Sequence, residues 1–304
     1  MTVRTSYRDK SQSEQAGTAT LSPPPSKLSE SKEPYKTVIE PKKGWQVLDF
    51  RELLRYHELL YFLVWRDIKV RYKQTVLGAI WAILQPVLSM LIFSVIFGRL
   101  AGIPSDGIPY PIFVYAGLLP WTFFSNAVSQ SGVSLVSQAN MLSKIYFPRL
   151  FLPTACTVAS LVDFGLSFVV YIFIMLWYMH LPGILIMLLP VLILLTIITS
   201  LGVGYLLSSL TVTYRDFKFV IPFMLQAWMY SSPVVYSVTL LPERYRWLMS
   251  INPMSGIIGA FRSSLLNQKM DWSSLALSAS VALGIFVFGL FNFRRTEKRF
   301  ADIA

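Results

Sequence analysis

The sequence predicts an all-α polytopic membrane protein: six transmembrane helices, an N-terminal amphipathic interfacial helix, and short re-entrant helices before the last span. Three observations carry this. Hydrophobic residues make up 54% of the 304 and charged residues only 14%, against about 25% charged in a soluble domain. Mean hydropathy is +0.53. The apolar residues also fall in blocks long enough to cross a bilayer, which takes about 20 residues per helix. Backbone polar groups within lipid must be paired inside the segment, so these runs are helices.

Residues 1–44 are rich in Ser, Pro, Lys and Glu, as in SPPPSKLSESKEP, and hold too few apolar groups for a core. We expect a disordered cytoplasmic tail. No apolar signal core precedes Pro41, so the first span acts as its own insertion signal. Residues 45–75 alternate Leu48, Leu53, Leu54, Leu59, Leu60 and Leu63 with Arg51, Arg55, Glu58, Arg66, Lys69 and Arg71. That pattern suits a helix lying in the membrane interface. Arg66, Lys69 and Lys73 share one helical face, where they suit anionic lipid head groups or, more sharply, the diphosphate of a lipid-linked substrate.

The six apolar blocks are residues 76–97, 110–136, 150–179, 182–210, 219–236 and 275–293. The second carries Ser125, Asn126, Ser129, Gln130 and Ser131, which either line a watery route or bond helix to helix. The fifth is short and holds Pro222 and Pro233. Lys and Arg concentrate in cytoplasmic segments, and 22 of them fall on the side of both termini against 5 on the other. Both termini and the break at 140–149 are therefore expected in the cytoplasm, with 294–304 as a C-terminal tail.

That break, NMLSKIYFPRLFLP, is basic and aromatic between two apolar spans, placed where a soluble partner can dock. Pro148 disfavours helix at Phe147, so a short helix would end near Tyr146 and Phe147 to Arg149 would form a hinge. Asp163 is the one acid well inside a predicted span. Its charge is costly in lipid, so it faces protein or water, as a packing partner or as part of a pathway. Phe219, Phe223, Gln226 and Tyr230 form one stripe on the fifth block, with Trp228 nearby. Such a stripe either packs or guides sugar rings along their apolar faces. Residues 237–271, with Pro242, Pro253, Gly256 and Gly259, are too long for a turn and too broken to span. Two short re-entrant helices fit there, as a gate or as a lid.

Several classes are excluded or disfavoured. The net charge of +11 follows from membrane topology, and no basic domain with interleaved aromatics stands apart to bind nucleic acid. The single Cys156 lies in an apolar span and reads as a packing residue. His57 and His180 are isolated, so neither a metal nor a nucleophile constellation is indicated. No Gly-x-x-x-x-Gly-Lys-Ser/Thr loop occurs. An ATP-driven role therefore needs a separate ATPase polypeptide.

Five segments occur in order: WRDIKVRYKQTVLGAIWAILQP, SKIYFPRLFLP, YRDFKFVIP, SSPVVYS and INPMSGIIGAFRSSLL. Together they resemble the permease subunits of polysaccharide-exporting ABC transporters, the type-2 exporters of O-antigen, capsule and teichoic acid chains. The resemblance covers roughly residues 53–293. It implies a coupling helix near 138–149, with Lys144, Tyr146, Phe147, Pro148 and Arg149 meeting the ATPase. It also implies outer gate helices near 240–266 and a permease domain over 76–293. The partners it implies are a second copy of the chain, two ATP-binding subunits and a lipid-linked glycan. ATP and Mg would sit on the partner, with no cofactor on this chain, in a bacterial cytoplasmic membrane. The glycan pathway would involve Trp81 and Gln85 of the first span with Phe219, Phe223, Gln226, Trp228 and Tyr230 of the fifth. Export of a drug, lipid or small glycolipid is the alternative within the superfamily. A membrane-embedded glycan transferase is the alternative outside it, against which the acids and arginines of 237–271 are sparse.

Overall fold

The structure, a computed structural model, describes residues 2–4, 38–40, 56–73, 78–142, 147–240, 242, 244, 247, 249 and 251–297. The chain divides into two units, Met1–Gln46 and Val47–Ala304. In the first, β1 (Thr2–Arg4) pairs antiparallel with β2 (Val38–Glu40), with Val3 opposite Ile39. The segment read as a disordered tail thus carries one short ladder. Four of its six residues, Thr2, Val3, Val38 and Ile39, are β-branched and favour extended backbone.

The described residues of the second unit form helices without strands. They are α1 (His57–Lys73), α2 (Ala79–Phe93, continued by a π-helical stretch Ser94–Leu100), α3 (Tyr110–Ser137), α4 (Ala139–Leu142), α5 (Phe151–Trp177), α6 (Leu189–Thr213, entered through a 3₁₀ turn Ile184–Leu188), α7 (Phe217–Ser231), α8 (Pro253–Leu265) and α9 (Trp272–Glu297). Five segments are long and apolar enough to cross a membrane: Ile80–Leu100, Tyr110–Ser137, Phe151–Trp177, Ile184–Thr213 and Trp272–Glu297. Six were expected. The fifth expected block forms α7, whose 15 residues rise about 22 Å, short of a hydrocarbon core of about 30 Å. Of the stretch 45–75, where an interfacial helix was expected, the structure describes 56–73, and His57–Lys73 form the helix α1.

Helix α3 is the hub. Ile112, Phe113, Val114, Tyr115, Ala116, Leu119 and Phe124 are wholly buried, and the main core gathers around them from α5, α6, α7 and α8. A second cluster lies where α3 ends, joining Leu63 of α1, Leu135, Phe147, Phe151, Tyr205 and Phe293. Small residues let the helices approach closely. A Cβ on Gly289 would collide with the Gly202 carbonyl, and one on Gly202 with the Phe286 backbone, so α6 and α9 touch backbone to backbone.

The contacts also fix the direction of travel. Gly202 meets Gly289, while further along both helices Asn292 Nδ2 donates to Ser209 Oγ at 3.1 Å. Helices α6 and α9 therefore run parallel. The chain between them must return across the bundle, and α7 begins that return: Ile221 packs at Gly132, whereas Val234 reaches Gly117 near the start of α3. At that far end α8 closes the bundle. Ser264 Oγ donates to the Leu185 carbonyl at 2.6 Å, and His180 Nε2 lies 3.1 Å from that of Leu266. Asn252 caps α8 by accepting from the Met254 N–H at 3.0 Å, ahead of Pro253 at the first turn, a position where proline loses no helical hydrogen bond.

Candidate functional site

A cleft of about 590 Å³ opens between α1, α2, α3 and α5. Each wall follows from local sequence. Helix α1 delivers Arg71 and Tyr72 from its last turn. Helix α2 delivers Trp81 and Gln85, one turn apart. Helix α3 contributes Thr122, Asn126 and Gln130 at i, i+4, i+8 along a single face, and α5 contributes Asp163, Phe164 and Ser167.

Asp163 anchors the site. One carboxylate oxygen accepts from Arg71 Nη1 in an ion pair, and the other accepts from the Tyr72 hydroxyl. The acid inside the span thus faces protein at a polar cleft, as its cost in lipid requires. Burial, and then the neighbouring Asp163 carboxylate, push the Tyr72 hydroxyl above its usual pKa. It therefore stays protonated and donates. The polar residues of the second span divide between helix packing and the cleft. Ser131 packs helix to helix, lying 3.0 Å from both the Pro153 carbonyl and Thr157 Oγ1. Asn126 and Gln130 line the cleft.

Other expected residues are elsewhere. Arg66 turns away, donating to Asp67 Oδ1 at 2.8 Å, Gln138 Oε1 at 2.6 Å and Met141 Sδ at 3.4 Å. This ties α1 to the segment after α3. Lys69 and Lys73 are exposed, and none of these three cations lines the cleft. Arg71 and Tyr72 do, and the shared-face spacing of 66, 69 and 73 gave no hint of them. Their signal lay in the acid placed well inside an apolar span, which requires a donor.

On α7, Phe219 and Phe223 are 71% and 73% exposed, and Gln226 and Tyr230 are exposed with them. The stripe remains intact on the outside of this chain. Trp228 departs from it: its indole donates to Asn252 Oδ1 at 2.9 Å and meets the Phe124 ring edge-on at 5.1 Å. At the docking break, Lys144 and Tyr146 lie outside the described residues. Phe147 and Pro148 are buried, and Arg149 Nη1 donates to the Glu297 carbonyl at 3.0 Å.

The segment expected to hold the outer gate helices includes Arg262 of α8, which is 4% exposed. Its guanidinium donates to the carbonyls of Phe113 (3.3 Å), Tyr236 (3.0 Å) and Val234 (2.5 Å), and sits 3.8 Å from the Phe113 ring centre. Gly117 admits this cage, since a Cβ there would fall 2.7 Å from Arg262 Nη2 and 2.8 Å from the Val234 carbonyl. Sequence reasoning counted Arg262 only among the sparse charges of the outer segment.

Residues 58–266 match the ABC-2 type transporter family. The chain belongs to that family. This ABC-2 permease is 32% identical over 253 residues to the O-antigen export system permease protein RfbA of Myxococcus xanthus, covering 81% of this chain and 96% of the relative. It is 26% identical over 243 residues to the polysialic acid transport protein KpsM of Escherichia coli, covering 77% and 91%. It is also 27% identical over 201 residues to the inner membrane transport permease YadH of Escherichia coli K12, covering 62% and 77%. It is accordingly a multi-pass membrane protein and the transmembrane subunit of an exporter, and the family implies a partner ATPase subunit.

Proposed function

We propose that this ABC-2 permease exports a lipid-linked polysaccharide, O-antigen-like or capsular, across the cytoplasmic membrane. The observation that carries the reading is its near full-length overlap with an O-antigen export permease, 96% of that relative. The intact outward stripe of Phe219, Phe223, Gln226 and Tyr230 supports it. Aromatic faces give many weak contacts that tolerate a sliding polymer. Facing a second copy of the chain, with Trp81 and Gln85 alongside, the stripe would become one wall of a shared conduit.

In this reading the topology has six crossings, with α7 and the segment after it as the crossing between the parallel α6 and α9. The basic ends of the chain then share the cytoplasmic side. Residues 144–149 meet an ATPase, two copies of which serve the dimer. Because Phe147 is seated among Leu63, Leu135, Phe151, Tyr205 and Phe293, a push on this segment reaches α1, α3, α5, α6 and α9 together. Such a push does work only if the ATPase binds the inward and outward states differently. The short helix at 253–265 forms part of the outer gate, latched by Arg262.

Deleting the gene tests the reading. Surface glycan should disappear, lipid-linked glycan should build up inside, and the wild-type chain should restore export. Unchanged surface glycan in the deletion strain would end it.

A further inference from the structure

We infer that the cleft between α1, α2, α3 and α5 is a docking subsite for a neutral hexopyranose ring, seated on Trp81 and held by Gln85, Asn126, Gln130 and Asp163. It rests on the glycan-export reading and names where one sugar of that polymer is recognised.

Charge comes first. Among the described residues that line it, the cleft has one cation and one anion, Arg71 and Asp163, bonded to each other. A phosphate would meet the Asp163 carboxylate and would have to compete for a guanidinium already engaged. Arg66, Lys69 and Lys73, the residues suited to a diphosphate, do not line the space. The cleft therefore favours a ligand without net charge.

Hydrogen bonding comes second. The side chains of Gln85, Asn126 and Gln130 make no hydrogen bond to any described residue. Gln85 and Gln130 are exposed to the cleft and Asn126 is half-buried, so all three amides are open to an incoming ligand, and each both donates and accepts. Hydroxyl groups do the same, so a polyol satisfies all three without leaving an unmatched charge. Asp163 adds an acceptor fixed in place by Arg71 and Tyr72. A carboxylate has about four lone-pair directions, so its two bonds leave room for sugar hydroxyls.

Shape comes third. Trp81 is 56% exposed at the cleft, with Phe123 and Phe164 deeper in. A pyranose has an apolar face for an indole and a polar rim for amides. The volume falls within the range of about 300–1,000 Å³ usual for small-ligand sites.

The test uses the permease purified in detergent with its ATPase. Intrinsic tryptophan fluorescence is titrated with the methyl glycosides of glucose, galactose, mannose and rhamnose and, separately, with inorganic diphosphate. At least one glycoside should give a saturable change. Trp81→Ala should abolish it, and the pair Asn126→Ala with Gln130→Ala should raise the half-saturating concentration at least ten-fold. The variants' helical circular dichroism and ATPase association should match wild type. Diphosphate should neither reproduce the change nor compete with it. No saturable change with any glycoside, a change that survives the double substitution, or competition by diphosphate would each overturn the subsite. The deletion strain separates the two claims. Lost export with no sugar binding leaves the export reading standing and removes the subsite. Sugar binding with surface glycan intact after deletion does the reverse.

Discussion

At the scale of single residues, two charged groups organise the molecule, and each has a different kind of partner. Asp163 has an ion pair and a phenol, whereas Arg262 has three carbonyls and a ring face but, among the described residues, no carboxylate bonded to it. Replacing Arg262 with Met would leave three buried carbonyls without their donor. The expected loss is about 3 kcal/mol, read as a lower thermal midpoint in detergent. Arg262→Lys should rescue only part of it, because an ammonium cannot reproduce the fork of the guanidinium. At the start of α9, hydrogen bonds from the Ser273 hydroxyl and then the Ser274 N–H hold the Asp271 carboxyl below its ordinary pKa. A lowered folded-state pKa stabilises above the unfolded value of about 3.9 and loses that contribution as pH falls through the folded value. The midpoint gap between wild type and Asp271→Asn should therefore be full at neutral pH and close under acid conditions. Asp163 was legible in the sequence as the lone acid of an apolar run. Arg71 was not, because its partner is 92 positions away and nothing local marks the pairing.

At the scale of elements, the long apolar helices were readable because their blocks exceed bilayer length. The second span was readable despite its serines, whose hydroxyls fold back onto carbonyls or neighbouring helices. Helix α7 was harder. Its block ran on to Tyr236, but the helix stops at Ser231 and the chain turns into the carbonyl cage of Arg262. That turn is a tertiary event with no periodicity to announce it. The stretch holding helix α8 was read only as short re-entrant helices forming a gate or a lid, and all but one of the residues of α8 are buried, because it is packed against α3, α6 and α9. Gly289→Leu should push α6 from α9 and cost about 2–3 kcal/mol, seen as a lower midpoint and lower yield of folded protein. Phe147→Ala should empty a buried site and cost about 3–5 kcal/mol. If the segment transmits force as proposed, a milder Phe147→Leu should keep ATPase association while lowering export.

At the scale of the whole molecule, the unit Val47–Ala304 is a helical bundle whose two ends are built differently. One end gathers α1, the segment after α3, Phe147 and the close of α9. The other gathers the start of α3, the Arg262 cage and α8. Helix α1 connects the end proposed to dock the ATPase to the cleft, since Arg66 bonds Gln138 and Met141 while Arg71 and Tyr72 hold Asp163. Movement of the docking segment would thus be felt at the cleft without passing through the core. The central claim is ATP-driven movement of a lipid-linked glycan, and reconstitution tests it most directly. The permease and its ATPase are placed in proteoliposomes carrying the host's lipid-linked glycan, and glycan accessible to external glycosidase is measured before and after adding ATP. The account predicts an ATP-dependent loss of accessible glycan through complexes with outward-facing ATPase, absent in liposomes lacking the permease. Accessible glycan that stays constant with ATP, while the complex hydrolyses it, would contradict the account.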